Sequence, residues 1–132
     1  MNSAEINELN QFLSPDTRLD VKSLALHYVL SLTGTIEGRE LIISNDNIIN
    51  SVVKLAFGED EQKSIIKDSF FTLINLSSNE NDSFQILIKN KILINKLLDY
   101  VLNCDSKFAD VACGVLSNLS RGNLISKIKN NS

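Results

Sequence analysis

Apolar residues recur at intervals of three and four along almost the whole chain, the period of helices that each bury one face. One Pro and five Gly leave few of the breaks that punctuate strands. The pattern predicts helix throughout, beginning with a short, fraying helix over about Ala4 to Phe12. Ser14-Pro15-Asp16 then reads as a helix start, with Ser14 as N-cap, Pro15 at the first helical position and Asp16 at the positive end of the dipole. That helix is expected to run to Thr33 and stop at Gly34. Further helices are predicted at about Gly38 to Ile43, Asp46 to Phe57, Glu61 to Leu76, Ser83 to Lys89, Ile92 to Leu102 and Ser106 to Ser120, with a last one starting near Leu124.

The helices repeat. Val29-Leu30-Ser31-Leu32-Thr33, Leu73-Ile74-Asn75-Leu76-Ser77 and Leu116-Ser117-Asn118-Leu119-Ser120 align at spacings of 44 and 43. Four residues upstream of each stand Ala25, Ser69 and Ala112, all small, and eight upstream stand Val21, Ile65 and Phe108, all bulky. The preceding helices correspond at 45, with Ile48, Val52, Val53 and Phe57 matching Leu93, Leu97, Leu98 and Leu102. A period of this length built from short helix, helix and helix is that of armadillo and HEAT arrays, in which each unit buries its apolar face against its neighbours. The expected fold is therefore an all-α, armadillo/HEAT-like right-handed α-solenoid of about two and a half repeats. An incomplete leading repeat would occupy 1–36, complete repeats 37–78 and 79–122, and the start of a further one 123–132.

Ala112-Cys113-Gly114-Val115-Leu116-Ser117-Asn118-Leu119 resembles the armadillo pattern A-L-W-A-L-S-N-L. More narrowly, the run from Leu13-Ser14-Pro15-Asp16 through Arg18, Asp20 and Lys22 to Leu26, with Leu30-Ser31-Leu32-Thr33-Gly34 and Leu116-Ser117-Asn118-Leu119-Ser120-Arg121, resembles the opening of the Hgh homolog family, also called brain-protein-sixteen-like. The resemblance covers about residues 12 to 122. It implies a eukaryotic armadillo-type adaptor that helps the cytosolic chaperonin and Hsp90 fold translation elongation factor two. Members of that family are far longer, so the chain is expected to be an N-terminal fragment of a longer solenoid.

In stacked repeats the last helix of each unit lines the concave face. Repeat register sets three rungs there: His27 with Ser31, Phe71 with Asn75, and Gly114 with Asn118, flanked by Lys107 and Arg121. In armadillo proteins that hold extended peptides the matching pair is Trp and Asn; here Asn stands twice and the chain contains no Trp. The candidate partner-binding residues are thus Phe71, Asn75, Lys107, Asn118, Arg121, His27 and Ser31. Two readings stay open for Asn75 and Asn118, which could bond a partner or bond backbone carbonyls between repeats and hold the stack. Phe71 could equally pack against adjacent helices.

Composition narrows the chemistry. Formal charge is −3, divided as 5 basic against 10 acidic residues up to Ile66 and 8 against 6 after it, too mild an asymmetry for nucleic-acid binding. Lys89, Lys91, Lys96, Lys127 and Lys129 read as a solvated helix surface. No apolar run is longer than the three residues Ile92-Leu93-Ile94, and Met1 opens onto Asn-Ser-Ala-Glu, so no membrane span or signal segment is expected and the protein should be soluble and cytoplasmic. Cys104 and Cys113 form no C-x-x-C and His27 is the one histidine, so neither a zinc site nor a disulfide framework is indicated; both thiols are expected in or near the core. Glu59-Asp60-Glu61 reads as a wet loop that caps the next helix.

The chain lacks the phosphate-binding, dinucleotide, nucleophile-elbow and zincin motifs. What remains is a non-enzymatic protein-binding module with no cofactor and no metal: a chaperone adaptor for elongation factor two, or a generic armadillo scaffold for another partner's extended peptide. The end after Ser120 has no evident cap, so Leu124 and Ile128 are expected to be exposed and either to pack against another copy or to order poorly.

Overall fold

The structure, a computed structural model, describes residues 1–79, 81–82, 85–86, 90, 92–103 and 108–130, with the backbone alone for 103 and 122–130. Its described residues are helical, with no strand among them: α1 Ser3–Phe12, α2 Leu19–Leu32, α3 Ile36–Ile43, α4 Asp46–Ala56, α5 Lys63–Leu76, α6 Leu93–Asn103 and α7 Ala109–Asn130. The helix predicted over Ser83 to Lys89 falls largely outside the described residues. Two compact units divide the chain, Met1–Thr72 and Leu73–Ser132.

In the first unit side-chain caps start two of the helices, α1 and α3. Asn2 Oδ1 accepts the Glu5 N–H at 2.9 Å and starts α1. This helix is docked rather than frayed: Ile6, Leu9 and Leu13 are buried, and Ser51 Oγ on α4 donates to Asn10 Oδ1 at 2.7 Å. Thr35 Oγ1 accepts the Gly38 N–H at 3.0 Å and starts α3. Gly38 is buried where α3 crosses the end of α2, and a Cβ there would lie 1.8 Å from the Leu32 carbonyl oxygen. Arg39 ties the same corner, its Nη1 donating to the Thr33 carbonyl at 3.0 Å.

Two predicted boundaries are corrected. Ser14-Pro15-Asp16 does not open α2; the Thr17 N–H donates to the Ser14 carbonyl at 3.0 Å and closes a turn, and the helix starts at Leu19. Proline is favoured both at the second position of a turn and at the first of a helix, because both need the same φ. At the other end, α7 runs unbroken through Gly122 to Asn130 instead of stopping at Ser120 and restarting. A helix-interior glycine costs only about 1 kcal/mol, and no proline interrupts the run. The side chains of Leu124 and Ile128 lie outside the described ones.

The first unit closes around Leu13, Leu26, Val29, Ile42, Ile48, Val52, Leu55, Ile65 and Phe70, all buried, with Phe57 and Phe70 meeting edge to face at 5.5 Å between ring centroids. In the second, α6 packs on α7, and Leu73, Leu76, Ile86, Leu93, Leu97, Ala112, Val115 and Leu119 are buried. The small residues matched by repeat spacing, Ala25, Ser69 and Ala112, are all buried. α7 buries a narrow face: Phe108, Ala112, Val115 and Leu119 face inward, whereas Cys113 is exposed, which corrects its expected place in or near the core. One residue is 100° of rotation, enough to carry Cys113 past the edge of the buried face. Cys104 lies outside the described residues.

Candidate functional site

A lysine–glutamate ion pair and a histidine–carboxylate contact join α2 to the α5 segment in the first unit. Lys22 Nζ, on the first turn of α2, lies 2.8 Å from Glu61 Oε1 just before α5, and also donates to the Pro15 carbonyl at 3.1 Å. Further along, His27 Nε2 lies 2.8 Å from Asp68 Oδ2. Because both contacts advance in the same sense along the two chains, α2 and α5 run parallel and side by side.

Glu61 corrects the reading of Glu59-Asp60-Glu61 as a wet loop. Glu59 and Asp60 are exposed, but the Glu61 side chain folds inward over Gly58, where a Cβ would come within 2.7 Å of Glu61 Cγ. A glycine at 58 leaves the room that this carboxylate needs to reach Lys22.

The His27–Asp68 pair is the centre of a half-polar, half-apolar surface. Leu24 and Tyr28 flank His27 on α2, and Phe71 stands one turn beyond Asp68 on α5; all three are exposed. Ser31, a turn past His27, is exposed and donates its hydroxyl to the Tyr28 carbonyl at 2.7 Å. Leu24, Tyr28 and Asp68 were not among the residues singled out by sequence. The signal for the first two was present, since they stand at spacing four on the polar arc of α2; for Asp68, 41 positions from His27, there was none.

In the second unit the asparagine reading resolves at one position. Asn118 Nδ2 donates to the Ile74 carbonyl at 3.3 Å and to Ser77 Oγ at 3.2 Å, and its Oδ1 accepts from Arg121 Nη2. The amide therefore adds a second donor to a carbonyl in the C-terminal turn of α5, where a helix lacks internal partners, beside the Ser77 hydroxyl that donates to it at 3.2 Å. Gly114, one turn earlier on α7, lets Ile74 approach: a Cβ there would lie 2.6 Å from Ile74 Cδ1. Asn75 is half-buried and its carbonyl accepts Ser78 Oγ at 2.8 Å. Lys107 lies outside the described residues.

Comparison with known proteins adds a lineage. The chain is 36% identical over 122 residues to the Protein HGH1 homolog of Drosophila melanogaster, covering 88% of this chain and 32% of that protein. It is 37% identical over 117 residues to the Danio rerio protein of the same name, covering 89% and 30%. The Homo sapiens Protein HGH1 homolog is 29% identical over 118 residues, covering 89% and 29%. The chain belongs to the HGH1 homolog family. It spans about a third of the length of the HGH1 homologs it matches. No family model matches the chain, and no solved structure matches it.

For an HGH1-family chain, the described residues hold neither a helix long and apolar enough to cross a membrane nor a group of three His, Cys, Asp or Glu placed to hold a metal. What they do hold is two parallel helices joined by the Lys22–Glu61 ion pair and the His27–Asp68 contact, with Leu24, Tyr28 and Phe71 exposed on them.

Proposed function

We propose that this chain is a non-enzymatic, protein-binding adaptor of armadillo type, acting in the cytoplasm in the chaperone-assisted folding of translation elongation factor two. The observation that carries the proposal is membership of the HGH1 homolog family over nearly 90% of the chain. In this reading the helices stack as a right-handed solenoid, and the last helix of each repeat presents the client surface. His27, Ser31, Phe71 and Asn75 would supply that surface on α2 and α5, and Lys107 and Arg121 would contribute from the second unit. Elongation factor two, the cytosolic chaperonin and Hsp90 are the proposed partners, from the family resemblance.

The exposed surface on α2 and α5 suits weak, reversible contact. Exposed aromatic and aliphatic groups give contact area to an incompletely folded segment, and the neighbouring hydroxyl, imidazole and carboxylate groups keep the surface wet between encounters. Nothing in such a task needs a bond to be made or broken by the adaptor.

The test is depletion of the protein from its own cells, followed by the fate of newly made elongation factor two. Loss of the factor's solubility and of its chaperonin association is expected, restored by the native chain in its full-length context and restored less by Phe71→Ala. An unchanged factor would leave a scaffold for another partner's extended peptide as the reading.

A further inference from the structure

Where α2 and the α5 segment are joined, two acidic side chains face α2, and the chain treats them differently. Glu61 has a cation of its own, since Lys22 Nζ lies 2.8 Å away and both side chains are nearly buried. Asp68 has none. Its side chain is only 13% exposed, and what its carboxylate meets among the described residues is the imidazole of His27, 60% exposed, with Nε2 2.8 Å from Oδ2. An ordinary imidazole is mostly uncharged above about pH 7, and this one touches a single oxygen of the carboxylate. Lys67, next to Asp68 on α5, is exposed and forms no ion pair among the described residues.

Exposed apolar side chains frame this carboxylate. Phe71 stands three residues after Asp68, and residues three apart on a helix are neighbours, so the ring lies beside the carboxylate on α5. Leu24 and Tyr28 flank His27 on α2 in the same way. A carboxylate drawn out of water with no cation beside it costs free energy, and a cation brought to it lowers that cost. The first unit as a whole also attracts cations, since residues 1–72 carry 11 acidic side chains against 6 basic ones.

We propose that this place between α2 and α5 is a docking site for an arginine side chain of an extended protein segment, its guanidinium on the Asp68 carboxylate and its aliphatic stem on Phe71. The proposal rests on the reading of this surface as the one that meets a client. What commits it to a cation is the contrast between the two acids: the same pair of helices presents both, and the chain neutralises Glu61 alone. Arginine fits better than lysine, because a planar guanidinium can bond a carboxylate oxygen while its face lies on an aromatic ring, and its stem covers apolar surface. The His27 contact need not be lost, because a carboxylate accepts several donors on its two oxygens.

Nuclear magnetic resonance of the nitrogen-labelled chain tests this with two short capped peptides, one holding arginine between two leucines and the other citrulline, its uncharged isostere, in the same place. At about pH 8, above the ordinary imidazole range, the arginine peptide is expected to shift the amide signals of His27, Asp68 and Phe71 saturably. It is expected to bind at least about fivefold more tightly than the citrulline peptide. Asp68→Asn keeps the shape of the side chain and is expected to erase that preference. Should Asp68→Asn disturb the fold, Phe71→Ala, at an exposed position, serves in its place, with at least about threefold weaker binding of the arginine peptide. Equal binding of the two peptides, shifts confined to other parts of the chain, or a preference indifferent to these substitutions would overturn the proposal. Neither peptide involves elongation factor two, so a factor unchanged by depletion overturns the adaptor reading and not this site, and equal binding of the peptides overturns this site and not the adaptor reading.

Discussion

Lys22 Nζ and Glu61 Oε1, 39 residues apart in sequence, meet at 2.8 Å with side chains only 7% and 9% exposed. The pair ties three places together, since the same ammonium also reaches the Pro15 carbonyl. Removing one member of a buried pair leaves an uncompensated charge, so Lys22→Met alone is expected to cost about 3–5 kcal/mol. Adding Glu61→Leu removes the stranded carboxylate and should recover most of that loss. Urea unfolding of the two variants measures the difference. Equal destabilisation by the single and the double variant would show that packing of the lysine stem, not charge pairing, holds the corner.

Two glycines separate backbone from side-chain crowding. At Gly38 an added Cβ meets the Leu32 carbonyl, which cannot move without unwinding the end of α2. Gly38→Ala is therefore expected to destabilise by at least about 2 kcal/mol. At Gly114 the obstacle is the terminal methyl of Ile74, which can rotate away. Gly114→Ala also gains about 1 kcal/mol of helix propensity, and its net effect is expected to stay within about 1 kcal/mol of neutral. Thermal unfolding ranks the two.

Ser69 is fully buried and its hydroxyl has no hydrogen-bond partner among the described residues. A hydroxyl taken from water and left unpaired is a net cost, and the matched positions carry Ala25 and Ala112. Ser69→Ala is expected to stabilise the fold by about 1 kcal/mol. A loss of stability on this substitution would mean that the hydroxyl is satisfied in solution.

Asn118→Ala should remove the amide's bonds to the Ile74 carbonyl and the Ser77 hydroxyl, which still bond each other at 3.2 Å, and is expected to cost about 0.5–1.5 kcal/mol. Phe71→Ala, at an exposed position, should leave stability within about 0.5 kcal/mol. Chemical denaturation of the pair separates a residue that holds the helices from one that is free to serve a partner.

Asp20 gives the pH signature. A hydrogen bond from the Arg18 guanidinium is the largest cause that lowers its carboxyl from the model-compound value of 3.8 to about 2, helped by the Val21 N–H. A lowered folded value means that the contribution is present above pH 3.8 and disappears as pH falls through 2. The pair is solvent-exposed, so the readout is the carboxyl itself: a carbon-detected NMR titration should find a midpoint near 2, returning toward 3.8 in Arg18→Ala.

The helical period alone located α3, α4, α5 and α6 to within a few residues, because each buries a face whose spacing is written along the chain. Family membership was legible in the same way, from local runs such as Leu116 to Arg121. The start of α2 was not, since Pro15 suits a turn and a helix equally. Nor was the inward turn of Glu61, whose partner is far away in the chain, nor the exposure of Cys113, which lies at the margin of the buried face.

Hydrophobic spacing specifies which residues want to leave water and how they line up on one helix. It carries no record of which neighbour covers them, because that depends on the approach of segments some forty residues distant. Hence the sequence alone could set Asn118 on a rung without saying whether its amide met a partner or the Ile74 carbonyl. Tertiary structure decided that by bringing the end of α5 within hydrogen-bonding reach. The same holds for α4 and α6: their apolar patterns match at a spacing of 45, and only the packing around them determines that Val53 is buried while Leu98 is left open.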